Sequence, residues 1–358
     1  MPNISRLIFM RPRSVLLLLF YVLCAAVLLS AGIGAVDIPP RTVLSLITKP
    51  PFTDAWEHIP ALQTQQAIIL WDIRLPRLAL AILTGASLAV AGSAMQALLR
   101  NPLAEPSLVG VSAGAALFTS AGIVLGGYKL TVLQDVMGEL ALPALAFSGS
   151  LLVSILIYKI SSHQSKTSMT LMLLAGIAIN SLCVALIGLL TFIANDAQIR
   201  TLTFWSLGSL GSATWSTVGI TACLSIIGII VLLRKAGALN ALALGESQAG
   251  LLGISISRLN RTCVVCIALS VGAVVSMTGI ISFVGLVAPH IVRMTLGPDQ
   301  RLVMPASAIV GAILVVCADL IARTVVAPTE IPIGIITTLI GVPFFLLLLF
   351  RMRQHIQL

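Results

Sequence analysis

Apolar residues in this chain run in long unbroken blocks, not at the short intervals of an amphipathic soluble fold. Eight blocks are candidate membrane spans: 14–34, 77–98, 108–126, 140–160, 169–193, 214–233, 302–321 and 333–350. A helix of about 20 apolar residues crosses the hydrocarbon core of a bilayer. The pattern predicts an all-α, polytopic membrane protein. A further block, 263–292, would be roughly 45 Å long as one helix, too long for one upright crossing and short for two. Arg258 and Arg261 precede it, and Arg293 and Arg301 follow it. With both flanks on one side, the block must enter and return. Gly272, Gly279 and Gly285 offer places for a turn or a broken helix, whose freed backbone groups other helices would bury. The total is about ten crossings, with both termini on the same side.

Charge orients the array. Cytoplasmic loops of membrane proteins carry an excess of Lys and Arg. This arrangement puts fourteen basic residues inside: Arg6, Arg11, Arg13, Arg100, Lys159, Lys166, Arg234, Lys235, Arg258, Arg261, Arg293, Arg301, Arg351 and Arg353. Seven fall outside: Arg41, Lys49, Arg74, Arg77, Lys129, Arg200 and Arg323. Among the acids only Glu105, Glu246 and Asp299 fall inside. Arg6, Arg11 and Arg13 ahead of the first block, with Ala31 and Gly34 at its end, suit a signal sequence, but the block is long for one, which favours an uncleaved span.

Composition agrees. Of the 358 residues 58% are hydrophobic and 9% charged, against about a quarter charged in soluble domains. The net charge of +9 is spread singly between apolar blocks, so it reads as a topology signal and not as a nucleic-acid footprint. The six cysteines lie inside apolar blocks and read as small core residues. Cys263 and Cys266 form a lone CxxC without further ligands nearby, so neither a disulfide frame nor a metal site is expected.

Enzymatic motifs are missing. The sequence has no Walker A run, no HExxH and no GxSxG, and its four histidines are scattered. Energy must come from a partner or an ion gradient. Gradient-driven carriers place ionisable groups mid-span. Here Asp319 is the one acid inside a predicted span, near its outer end, and Arg323 four residues on predicts an ion pair on one helix face. A secondary carrier or a membrane-embedded enzyme therefore lacks its working residues. Gly110 with Gly114, and Gly85, Ala89 and Gly92, stand at spacings that let helices approach closely. Gly92 to Arg100 and Gly285 to Arg293 share one spacing, a faint internal echo. The inner loop 234–261 predicts two short helices broken around Gly245, offering Leu242, Leu244, Leu251 and Leu252 to a cytosolic partner.

Several segments together resemble the permeases of bacterial ABC importers for iron chelates, haem and vitamin B12. They are Leu75-Pro76-Arg77, Arg100-Asn101-Pro102-Leu103-Ala104-Glu105-Pro106, Leu244-Gly245-Glu246, Phe283-Val284-Gly285-Leu286-Val287-Ala288-Pro289-His290-Ile291-Val292-Arg293 and Glu330-Ile331-Pro332-Ile333-Gly334. Each alone is weak; jointly they are specific, and they extend over most of the chain. The resemblance implies a type II ABC importer permease fold, with residues 1–358 a single transmembrane domain in the bacterial inner membrane and both termini cytoplasmic. It implies a transport subunit without its own ATPase, and no cofactor on this chain. ATP and Mg would sit on two ATPase subunits, and the other partners would be a second copy of the chain, a periplasmic binding protein and membrane lipid, with no nucleic acid.

The same resemblance implies residue roles. Loop 234–261, with Leu244, Gly245, Glu246 and Leu251, would couple to the ATPase. Arg74, Arg77 and Arg323 would receive acidic knobs of the binding protein; the plainer reading of Arg74 and Arg77 is snorkelling plus a pair with Asp72. Asn101 and Leu103 would form a cytoplasmic gate, with a second gate at Ser168 and Thr170, where Met169 loosens the match. The stretch 196–210 looks most like the haem permeases. Its Arg200, at the outer mouth, would attract haem propionates through charge-assisted hydrogen bonds, although it could equally cap a short helix or face water. Haem is the leading cargo; a ferric siderophore or cobalamin is the alternative, since cobalamin permeases carry an arginine nearby.

Overall fold

The chain is almost entirely helical in a computed structural model that describes residues 12–34, 36–48, 61–127, 134–163 and 166–356. Of the basic residues used to orient the spans, Arg6, Arg11, Lys49 and Lys129 lie outside the described residues. The first span is α1 (Pro12–Gly32), followed by the short α2 (Pro40–Ile47). Helix α3 (Ala61–Ile68) runs through a π-helical segment (Ile69–Arg74) into α4 (Leu75–Leu98). The second span therefore starts well before the predicted Arg77. The wider π turn accommodates Pro76, whose ring cannot join an ordinary helical ladder, and Trp71 anchors the segment by donating to the Leu46 carbonyl at 3.2 Å.

Beyond α4 a 3-10 turn (Pro106–Val109) leads into α5 (Val111–Leu125), and then α6 (Ala141–Ser161). A two-residue antiparallel hairpin, β1 (Ser162–His163) and β2 (Lys166–Thr167), joins α6 to α7 (Met169–Ile193). The third predicted span is thus shorter as a helix than its apolar block. Gly110, with φ +80°, breaks the helix, and the residues before it enter the bundle as a 3-10 turn packed on Gly176 of α7.

Helix α8 (Asp196–Leu207) is short, and its N-terminus is closed by Asn195 and Gln198, each side chain bonding the other's backbone N–H. Next come α9 (Trp215–Arg234), α10 (Ala236–Ala243), α11 (Glu246–Leu251) and α12 (Ile256–Thr278). Then follow α13 (Val284–Leu296), α14 (Gln300–Thr324) and α15 (Ile333–Ile356). The long apolar block 263–292 does enter and return: α12 ends at Gly279, φ +71°, and Phe283, φ +66°, opens α13. Among the described residues eight helices are long and apolar enough to cross a membrane, and α5 and α13 are shorter apolar helices. At about 1.5 Å per residue these two span roughly 20 Å, less than the hydrocarbon thickness, so the turns that join them lie within the bundle.

Burial separates centre from periphery. The apolar window of the span ending at Leu98 is 78% buried and that of α12 is 72%, against 17% for α1, 22% for α7 and 28% for α15. Helix α4 is the axle, packing on α14, α13, α12 and α9. Glycines set these contacts. A Cβ on Gly85 would overlap the Gly311 carbonyl of α14, and one on Gly92 would overlap the Gly285 carbonyl of α13. The two echoing segments of the sequence therefore lie against each other. Gly114 meets Gly149 of α6 in the same manner. Gly92→Val should cost about 3 kcal/mol, the upper range for overpacking, or abolish folding. Gly188→Ala, where nothing lies within 4 Å, should change stability by about 0.5 kcal/mol at most. Thermal unfolding of the solubilised protein measures both.

Candidate functional site

Two polar assemblies interrupt the apolar bundle, one at each end of α4. At its N-terminal end, expected to face outward, Arg77 donates to Asp319 of α14, from Nε at 2.9 Å with Nη2 at 2.8 Å, and from Nη1 to Glu330 at 2.9 Å. Arg323, one turn from Asp319, places Nε 3.2 Å from Oδ2. The predicted pair is present, but its alignment is too poor for a hydrogen bond. Arg323 also donates through Nη2 to the Ser30 carbonyl and hydroxyl, and through Nη1 to Ile33. Arg74 reaches the carbonyls of Ala31, Gly32 and Val36.

The cluster thus ties α1, α4 and α14 together. The side chains of Arg77, Arg323 and Asp319 are 10%, 9% and 1% exposed, whereas that of Glu330 is 46% exposed. The expected partner of Arg74 and Arg77, Asp72, makes no ion pair with either among the described residues. Arg77 finds its carboxylates on residues 319 and 330, and Arg74 donates to carbonyls at the end of α1 and just beyond it. All three arginines expected to dock a binding protein are committed to their own chain.

At its C-terminal end, expected to face inward, α4 stops in a helix-terminating motif: Asn101 N–H bonds the Gln96 carbonyl at 3.1 Å, and Arg100 N–H bonds Ala97 at 3.3 Å. Asn101 Oδ1 then accepts from Leu103 N–H at 2.9 Å, fixing the turn that carries both gate candidates. Ser168 caps α7 by accepting from Leu171 N–H at 3.3 Å, and Thr170 is exposed in the first turn. No hydrogen bond joins this pair to Asn101 or Leu103 among the described residues.

The loop between α9 and α12 folds as two short helices that part at Gly245, φ +113°. Leu244, Leu251 and Leu252 are 70%, 83% and 65% exposed. Leu242 is not presented outward as expected: it is 1% exposed and belongs to the core with Leu239, because the face of α10 opposite the solvent packs on α4 and α14. Asn240 of α10 accepts from Gln300 N–H at 2.8 Å and donates to Asp299 at 2.6 Å. Ser93 of α4 donates to Gln300 Oε1 at 2.7 Å. Arg100 lies 3.5 Å from Glu246. The two short helices are thereby linked to the ends of α4 and α14.

Two contacts escaped sequence reasoning. Gln96 accepts from Arg293 of α13, and only the shared spacing of the two echoing segments hinted at it. Glu105 accepts from Phe283 N–H at 3.1 Å, pinning the turn ahead of α13. Arg200 lies exposed on α8 without a hydrogen bond or ion pair among the described residues. The helix is capped by Asn195 and Gln198, so Arg200 is not the cap. Among the described residues no group of His, Cys, Asp and Glu is arranged to hold a metal ion.

Asp319→Asn should cost about 3–5 kcal/mol, because two buried guanidinium groups lose their shared counter-charge. Glu330→Gln, at the exposed rim, should cost about 1 kcal/mol or less. The shift in unfolding temperature distinguishes them.

The sequence matches the FecCD transport family over residues 17–351. It is 40% identical to the hemin transport system permease protein HmuU of Yersinia pestis over 346 residues, 96% of this chain and 98% of that protein. It is 39% identical to the vitamin B12 import system permease protein BtuC of Vibrio cholerae, across 79% of this chain and 83% of the relative. Among solved structures, a metal-chelate type ABC transporter in an inward-facing conformation superposes with a TM-score of 0.81 at 26% identity, covering 95% of this chain and 99% of that one.

Proposed function

The chain belongs to the FecCD transport family, and from that premise we propose that it imports haem across the bacterial inner membrane. It is an ABC-transporter permease and not itself an ATPase. In this reading two copies enclose the path, two ATPase subunits sit on the cytoplasmic face, and a periplasmic binding protein delivers the cargo. Both termini are cytoplasmic.

The observation that carries the haem reading is Arg200. A guanidinium exposed on a short helix, free of any internal carboxylate, suits a carboxylate-bearing cargo, because charge-assisted pairs with Arg are strong and oriented. The near full-length likeness to a hemin permease supports it. Cobalamin is the second reading, favoured by the comparable identity to a vitamin B12 permease; a ferric siderophore is the third.

The driving motion begins at α10 and α11. Their exposed leucines form the apolar footprint for the ATPase. When ATP closes the ATPase pair, α10 moves. Asn240, held to Asp299 and Gln300, carries the displacement to α14, and the Ser93–Gln300 bond carries it to α4. The turn with Asn101 and Leu103 follows the end of α4, and Ser168 and Thr170 form the facing gate. Such a device needs two packings of one element whose balance ATP shifts. At the outer face the binding protein's acidic knob reaches Arg77 by displacing the half-exposed Glu330, and would have to displace backbone carbonyls to reach Arg74 and Arg323.

Proteoliposomes holding this subunit with its ATPase, ATP enclosed and binding protein outside, test the proposal. Haem uptake should require ATP and fall at least tenfold in Arg200→Ala. Uptake of cobalamin or a ferric siderophore instead would discard haem. Leu244→Asp and Leu251→Asp should leave the subunit inserted and stop transport; normal uptake by both would refute the coupling role.

A further inference from the structure

The inner end of α4 holds a cavity of about 280 Å³, walled by the ends of α4 and α13, by α10 and by the start of α14. Its polar lining comes from Gln96, Arg100, Asn101, Asn240, Arg293 and Gln300. The hydrogen-bonding accounts of these groups are one-sided. Gln96 Oε1 is taken by the Arg293 guanidinium. Asn240 Oδ1 is taken by Gln300 N–H, and Asn101 Oδ1 by Leu103 N–H. Gln300 Oε1 is taken by the Ser93 hydroxyl. The first three partners are donors only, so the orientation of those amides is dictated by chemistry.

Of the side-chain N–H groups of this lining, Asn101 Nδ2 and the Nε and Nη1 of Arg293 have no partner among the described residues, and Gln300 Nε2 is free with Ser93 donating to its Oε1. Arg293 has no carboxylate within ion-pair range among the described residues. Of the two nearby acids, Glu246 lies 3.5 Å from Arg100, both side chains about half exposed at the rim, and Asp299 is held by Asn240 at 2.6 Å; neither pairs with Arg293. Hydrogen bonds from Arg301 N–H and the Asn240 amide hold Asp299 below the usual carboxylate range, so it stays an anion bound to its own partners.

Arg100 gives an independent sign. It occupies the left-handed position that closes α4, with φ +49°. Glycine is the ordinary residue there, since a Cβ is strained in that conformation. Strain of this kind gathers at working sites, and beyond its 3.5 Å approach to Glu246 the Arg100 guanidinium has donors to spare. Here that side chain lies at the rim of a donor-lined cavity.

We propose that this cavity is an oxyanion site of the phosphate class on the cytoplasmic face, with Arg293 as its recessed cation and Arg100, Asn101 and Gln300 completing the donor set. Four donor groups from three segments match the several acceptor oxygens of a phosphoryl group better than the two of a lone carboxylate. The level suits both an anionic lipid headgroup, which basic pockets between transmembrane helices bind, and free phosphate. An occupant would bridge α4, α13 and α14 beside the gate turn and so favour one packing of the inner mouth. The inference does not depend on which cargo is carried.

The test compares full-length wild type, Arg293→Gln and Arg100→Gly. Arg100→Gly removes one guanidinium while easing the backbone, so it folds even if Arg293→Gln does not. Unfolding temperature is recorded in detergent with inorganic phosphate against chloride at matched ionic strength. It is recorded again in nanodiscs of phosphatidylcholine with and without phosphatidylglycerol. A phosphate-dependent rise present in wild type and lost in the variants establishes a free oxyanion site. A rise with phosphatidylglycerol alone, lost in the variants, establishes a headgroup site. Equal responses in wild type and variants overturn the proposal. So does a loss of ATPase-subunit affinity in the variants with neither phosphate nor lipid effect, which would assign the arginines to a partner's carboxylate.

Discussion

The architecture turns on how closely α4 approaches its neighbours. Gly85 lies against Gly311 and Gly92 against Gly285, with no room for a Cβ at either contact. In a bilayer the apolar effect does not drive helices together, so intimate backbone packing and polar contacts must do so. Both occur along this one helix. The glycines bring α13 and α14 against α4, and only that proximity lets Arg77 share Asp319 at the outer end and Gln96 meet Arg293 at the inner end. A bulkier α4 would separate Arg77 from Asp319, Ser93 from Gln300 and Gln96 from Arg293.

The two ends of α4 then serve different purposes. The outer cluster is buried and nearly neutralised, and it fixes α1, α4 and α14 as one body. The inner end is connected by a few amide and hydroxyl contacts to short helices with exposed leucines. A tight end and a lightly bonded end suit the lever we propose, in which displacement of the short helices is resisted at the N-terminal end of α4 and expressed at its C-terminal end. The turn proposed as the gate lies at the lightly bonded end, next to the left-handed Arg100.

Much of this was legible in the sequence. The re-entrant path of α12 and α13 followed from basic flanks on both sides of a block too long for one span and from the glycines within it. The break at Gly245 followed from small residues between short leucine runs. What the sequence hid depends on long-range proximity. Asp319 and Glu330 lie more than 240 positions from Arg77, so the nearby Asp72 seemed the natural partner. The burial of Leu242 depends on which face of an eight-residue helix meets α14, and no periodicity that short decides it. The π-helical extension before Pro76 reads locally as a polar loop. The expected docking arginines gather at one end of the bundle, yet the carboxylates and carbonyls that occupy them come from distant segments.

The central claim is that motion of the short cytoplasmic helices is transmitted through α4 to the gate turn. The most direct measurement is the distance between spin labels at Pro102→Cys in the two copies, on a cysteine-free background, in the assembled transporter with and without ATP. The account predicts an ATP-dependent change in that distance that disappears when Leu244 is replaced by Asp. An unchanged distance in the unaltered coupling loop, or a change that survives the Leu244 substitution, would contradict it.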